Sequence, residues 1–182
     1  MTKIHTLSLT LKASELEQDP LAFAIKASDS ERQELVQRFG LVSLDGLEAE
    51  GSVRNKGRGE GVLVKGHLKA KLAQHCIVSL GEVAEDLDTS FELLLVDPEM
   101  ANRMDEDESY LDPGAPEYDA LEGDDIAVGE IVAQTLSISM NPYPKINGAD
   151  VNLPKNVDVT MNEPELEKPN PFAALSKLKD KS

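Results

Sequence analysis

The chain has 182 residues with 34 Asp/Glu against 18 Lys/Arg, a formal charge of −16, 4% aromatic residues and no Trp. That composition leaves the core to Leu, Val, Ile and Ala, and the lone cysteine, Cys76, excludes an internal disulfide or a multi-cysteine metal site. The charge is unevenly divided: residues 1–80 hold 11 Lys/Arg against 10 Asp/Glu, residues 81–182 hold seven against 24, and within 82–130 Arg103 is the one base among 18 acids. A segment of that kind repels a phosphate backbone and attracts a basic partner. The start, Met-Thr-Lys-Ile-His, has no apolar run and reads as lacking a signal peptide. No stretch approaches the ~20 apolar residues of a membrane span, so the chain is expected to be cytoplasmic.

In chain order, Ile4 to Leu11 alternates and predicts a strand with Leu7, Leu9 and Leu11 on its inner face. Pro20 opens Leu21 to Ile25, read as a helical turn or short helix. Ser28 and Glu31 have the spacing of a capping box ahead of Leu35, Val36 and Phe39, and Gly40 closes that helix. The clearest β pattern follows. Leu47, Ala49, Gly51 and Val53 share one strand face, Gly57, Gly59 and Gly61 supply a turn, and Val62, Val64, Gly66, Leu68, Ala70 and Leu72 line the inner face of a return strand. Leu87, Thr89, Phe91, Leu93 and Leu95 continue the meander.

Met100 to Ala120, with the run Asp105, Glu106, Asp107 and Glu108, reads as a disordered acidic loop. Ile126 to Met140 predicts a helix capped by Asp124 or Asp125, ended by Asn141-Pro142, and packed on the sheet. Residues 141–169 hold five prolines and read as a linker or wrapping segment. Beyond it, Asn170 and Pro171 start a short C-terminal helix with Phe172, Leu175 and Leu178 on one stripe and Lys177, Lys179 and Lys181 at its carbonyl end. A helix so short does not hold in water alone, so the stripe needs a surface to dock on. The expected architecture is α+β: one domain over 1–140 built on an antiparallel meander or partly open barrel with two or three packed helices, a flexible acidic loop over 98–122, a Pro-rich linker over 141–169 and a C-terminal helix over 170–180.

Two surfaces could bind a partner. Lys65, Lys69 and Lys71 with His67 form an outward row on the return strand, extended by Arg54, Lys56 and Arg58 at the hairpin, and such a row could track phosphates with a salt slope of about −0.7 per contact on a single strand. Equally, Glu48, Glu50, Asp86, Asp88 and Glu92 on the flanking strands could neutralise it as cross-strand pairs. No aromatic side chain interleaves the row, so base stacking is not supported. The other surface is Asp105, Glu106, Asp107 and Glu108 together with the tail stripe Phe172, Leu175 and Leu178, which suits a basic protein.

Chemistry is harder to place. His67, His75 and Cys76 do not make a four-ligand metal set, and Cys76 reads as a plain buried or strand-end cysteine without an activating base. The carboxylate runs lack the fixed geometry of acid/base catalysis, and Gly57 to Gly61 lies in a hairpin rather than a phosphate cradle. The chain is therefore expected not to be an enzyme and to carry no cofactor and no metal.

Three segments together resemble the YceD family of large ribosomal RNA subunit accumulation proteins: the tail Pro169 to Lys179; the Gly66, Leu68, Ala70 strand leading to Cys76-Ile77-Val78-Ser79-Leu80; and the Asp125 to Pro144 helix. Many relatives carry Cys-x-x-Cys in the middle and further cysteines after the helix. Here Ser79 stands at the second position and Tyr143 to Asp150 has no cysteine. The resemblance implies a non-enzymatic bacterial factor for accumulation or processing of large-subunit ribosomal RNA. Its direct partner is either that RNA, through the basic hairpin, or a basic ribosomal protein or assembly factor, through the acidic segment and tail.

Overall fold

Alternating apolar residues between Leu47 and Leu95 set the frame of the molecule. In the computed structural model, which describes residues 3–57, 59–106 and 117–148, the elements are β1 (Ile4–His5), β2 (Thr10–Lys12), a 3-10 turn (Ala13–Glu15), β3 (Leu21–Lys26), α1 (Asp29–Phe39), β4 (Ser43–Gly57), β5 (Gly61–His75), β6 (Glu82–Val96), α2 (Pro98–Glu106), β7 (Glu117–Ala120), β8 (Asp125–Ala127) and α3 (Val128–Ser139). Six strands form one open mixed sheet in the order β1-β3-β4-β5-β6-β7, and β2 pairs with β8 apart from it. The class is α+β, as expected, and the sheet is not closed into a barrel. Arg58, Asp107, Glu108, the linker from residue 149 and the tail helix with Phe172, Leu175 and Leu178 lie outside the described residues.

The meander β4-β5-β6 is antiparallel with 15 residues in each strand. A straight strand of that length would run about 50 Å. Bulges at Leu44/Gly46 and Asn55/Gly57 interrupt the β4–β5 register. At the centre lies one cross-strand row, Phe23 opposite Gly51, opposite Gly66, opposite Phe91. A Cβ on Gly51 would overlap the carbonyl oxygen of Lys65 and come within 2.8 Å of the Phe23 ring; a Cβ on Gly66 would sit 2.5 Å from the Phe91 ring. The two glycines let the backbones of β4 and β5 close in, and the rings of the outer strands lie over the space where side chains would be.

The inner face carries the main core: Phe23, Ile25, Leu47, Ala49, Val53, Val62, Val64, Leu68, Ala70 and Leu72 are all buried. Each fully buried aliphatic side chain there contributes about 1.5–3 kcal/mol. Val128, Ile131, Val132 and Leu136 of α3 and Leu35 of α1 join the same cluster. The capping box of α1 is present, with Glu31 N donating to Ser28 Oγ and Ser28 N donating to Glu31 Oε2, and Gly40 follows at φ 65. A second cluster lies at one end of the opposite face, where Ala101 and Met104 of α2 meet Val96, Leu94, Tyr118 and Ala120.

Several expectations are corrected. Leu21 to Ile25 is a strand, not a helical turn or short helix: Leu21 to Lys26 pairs antiparallel with Val53 to Glu48 of β4, which buries Phe23 and Ile25 and leaves Ala22 and Ala24 outward. Ile4 to Leu11 is not one strand. It breaks after His5 because the chain crosses the start of α3, where a Cβ on Gly129 would overlap the Leu7 carbonyl and Gly129 N donates to Leu9 O.

Residues 126–140 do not form one helix capped by Asp124 or Asp125. Asp125 and Ile126 belong to β8, and α3 starts at Val128 after Ala127 with no side-chain cap. Both aspartates have distant partners: Asp124 accepts from Ser14 N and Ser14 Oγ at 2.7 Å each, and Asp125 pairs with Lys12 at 2.6 Å. The acidic segment is ordered at its two ends, as α2 and β7, because Ala101, Met104 and Tyr118 give it an apolar side to bury. The start of the expected linker also packs back on the body: Pro144 is buried and its carbonyl accepts from Ile77 N at 2.9 Å. Among the described residues no helix is long and apolar enough to cross a membrane.

The glycine pair gives the first test. Gly51→Ala should cost about 1–3 kcal/mol, the range of overpacking in a well-packed core, read as a lowered denaturant midpoint at unchanged slope. A midpoint equal to that of the native chain would rule out the close approach.

Candidate functional site

The outer face of the sheet presents the basic row as the alternation requires, with Lys65, His67, Lys69 and Lys71 on β5 between acidic positions of β4 and β6. Register decides what this row can do. Glu48 stands opposite Lys69, which stands opposite Asp88; Glu50, His67 and Ser90 form the next row on this face and Ser52, Lys65 and Glu92 the one after, and Lys71 stands opposite Asp86. The side chains meet accordingly: Lys65 Nζ lies 2.8 Å from Glu92, Lys69 Nζ 3.5 Å from Asp88, and Lys26 of β3 2.6 Å from Glu48. Hydrogen bonding from Lys26, and the nearby charge of Lys69, hold the Glu48 carboxyl below the usual carboxylate range.

Exposed pairs of this kind add little stability, about 0–1 kcal/mol each. Their effect is to make the pad a lattice of alternating sign, so a phosphate approaching Lys65 or Lys69 has to displace a carboxylate. Arg54 and Lys56 are exposed at the hairpin end, and among the described residues no ion pair joins them or Lys71.

One contact in the pad was not anticipated from sequence. His67 Nδ1 lies 3.1 Å from Ser90 Oγ while its Nε2 lies 2.5 Å from Asp88 Oδ1. These are the residue types of a hydrolytic triad. The imidazole is turned the other way from such a triad, in which Nε2 faces the serine and Nδ1 the carboxylate. The only advance signal was cross-strand alignment: His67 and Ser90 are direct partners, and Asp88 lies two residues along the same face.

The acidic candidates gather elsewhere. Glu99, Asp105 and Glu106 lie on α2, and Glu117 and Asp119 on β7, which is an edge strand of the sheet. Asp105 accepts from the Tyr118 hydroxyl at 2.7 Å, and that bond raises the tyrosine pKa. Arg103, the one base of this segment, donates to the Glu99 carbonyl. Glu99, Glu106, Glu117 and Asp119 are all solvent-exposed.

Cys76 follows β5, at the start of the turn to β6, and is fully buried. Its sulfur accepts from Ser79 N and Ile146 N, both at 3.4 Å. Hydrogen bonds from the Ser79 side chain and from the Ile146 and Ser79 amides pull the thiol down to about 6, with burial opposing them. Among the described residues no group of three or more His, Cys, Asp or Glu could hold a metal ion. Through the Ser79 and Ile146 amides the sulfur ties the turn after β5 to the segment after α3. Because the folded value lies below the ordinary 9.0, its contribution to stability is complete above about pH 9 and is lost as the pH falls towards 6. Cys76→Ala should flatten the rise in stability between pH 6 and 9, followed by urea unfolding at several pH values; an unchanged slope would remove the thiolate from the account.

No curated protein and no solved structure matches the chain. The sequence profile of the family described as large ribosomal RNA subunit accumulation protein YceD matches residues 64–179, from the third residue after the start of β5 through the end of the tail motif. That span covers well over half of the chain and takes in the Cys76 turn, the acidic segment and α3. The chain belongs to the YceD family.

Proposed function

We propose that this chain is a non-enzymatic ribosome-biogenesis factor that supports accumulation of large-subunit ribosomal RNA in the cytoplasm by holding a basic protein partner, a ribosomal protein or assembly factor. Membership of the family supports the role in ribosome biogenesis. The choice of a protein over RNA as the direct partner rests on one observation: Lys65 and Lys69 are already matched by Glu92 and Asp88 across the strands. A net charge of −16 works in the same direction, since it disfavours a polyanion at long range and speeds encounter with a cation. The exposed carboxylates of α2 and β7 offer the complementary surface.

Hairpin cations Arg54 and Lys56 favour a secondary contact with RNA, because no ion pair joins them among the described residues.

Two variants of the full chain separate these readings. Neutralising Glu99, Glu106, Glu117 and Asp119 as their amides should reduce co-fractionation with large-subunit precursor particles by about tenfold, and added salt should do the same to the native chain. Changing Lys65 and Lys69 to Gln should leave recovery within about twofold, as expected for charges that are already paired. The opposite pattern, with the lysine variant lost and the amide variant retained, would assign the contact to RNA.

A further inference from the structure

Register gives the outer face of β3, β4, β5 and β6 a pattern that goes beyond pairing within one chain. Across these four strands the outward residues run Lys26, Glu48, Lys69, Asp88 in one row, Ala24, Glu50, His67, Ser90 in the next, and Ala22, Ser52, Lys65, Glu92 in the third. The first row alternates in sign, so it is complementary to itself when reversed. Reversing the second row sets Glu50 against His67 and Ala24 against Ser90. Reversing the third sets Ser52 against Lys65 and Ala22 against Glu92, so that each long charged side chain meets a short one.

Among the described residues this patch is open. The side chains of Lys26, Glu48, Lys69 and Asp88 are between 59% and 65% exposed. The helices α1 and α3 pack with the inner cluster, and α2 meets the outer face only past the third row, at Leu94. Three rows across four strands span about 20 Å by 20 Å from the strand spacing and rise. A contact of that size belongs to the small, weak class of interfaces.

We propose that this patch is a two-fold interface between two copies of the chain, with the sheets face to face about an axis that runs parallel to the strands, between β4 and β5. Such an axis sets every row against its own reversal. Lys26 then meets Asp88 of the second copy and Glu48 meets Lys69, each contact occurring twice. A two-fold across the strands would instead lay β5 on β5 and oppose lysines to lysines, so the pattern selects the first axis. It also selects the occupant: a strand of phosphates or the chain's own Lys-rich tail, carrying one sign, would meet like charges as well as opposite ones all over the lattice. The patch itself is close to neutral, with three lysines against four carboxylates, and the excess on α2 and β7 is screened beyond about 8 Å at physiological salt. Room for α2 follows from the same geometry, because β6 lies over β3 of the second copy, and β3 ends at Leu21, one residue short of the level of Leu94. The acidic flank stays outside the contact, so this interface does not depend on the basic-protein reading above.

The test is sedimentation equilibrium of the full chain, whose mass should rise from that of one chain towards that of two between about 1 μM and about 1 mM. Lys69→Glu sets Glu against Glu48 at both symmetric contacts, and Glu48→Lys sets Lys against Lys69 at both. Each variant alone should self-associate at least about tenfold more weakly than the native chain, with little change in melting temperature, because the pairs lost within the chain are exposed. Mixed in equal amounts, the two variants should associate with each other about as tightly as the native chain does, since the charges across the contact are then opposite again. A native chain that stays monomeric throughout, variants that self-associate as the native chain does, or a mixture no tighter than its components would each overturn the proposal. Association that disappears on removal of residues 149–182 would assign the contact to the C-terminal segment and overturn it as well.

Discussion

Two glycines facing each other across the middle strands are the constraint from which the rest of the architecture follows. Gly51 and Gly66 are direct partners on the inner face, and the rings of Phe23 and Phe91 reach over them from either side. Without side chains between them the backbones of β4 and β5 close in beneath the two rings. The same face receives α3, whose Val128, Val132 and Leu136 are fully excluded from solvent. In a chain with four Phe and no Trp, two of the Phe residues are used at this one place.

Because side chains alternate along a strand, the same register that assembles the inner core also orders the outer pad. Once Phe23, Gly51, Gly66 and Phe91 are aligned, Lys26, Glu48, Lys69 and Asp88 fall into a row on the opposite face. Charges of alternating sign across four strands keep the register in place and leave little net field above the sheet. The excess negative charge resides elsewhere, on α2, β7 and the segments around them. The molecule thus divides its labour between a neutral, ordered sheet face and an acidic flank, and it is the flank that suits a basic partner.

Local signals were legible in the sequence where they are sufficient on their own. Ser28, Glu31 and Gly40 set both ends of α1, and the alternation from Leu47 to Leu95 set three strands and their faces. Sequence failed where a distant partner overrides a local preference. Leu-Ala-Phe-Ala-Ile is too short for its period to separate helix from strand, and the free edge of β4 decides it. Asp124 looks like a helix cap, but Ser14, 110 residues away, claims its carboxylate. In α2 the carboxylates mask the few residues, Ala101 and Met104, that give the helix its buried side.

The candidate sites show the same division. Outward placement of Lys65, Lys69 and Lys71 followed from alternation, whereas their pairing depended on a register that sequence leaves open.

A double-mutant cycle on Gly66 and Phe91 measures the central constraint most directly. Gly66→Ala alone should lower stability, because the new methyl group meets the Phe91 ring, and Phe91→Leu alone should lower it through lost packing. Together they should recover at least about 1 kcal/mol relative to the sum, as expected for residues that share one space. Strict additivity of the two losses would contradict the account, since the ring and the glycine would then not depend on each other.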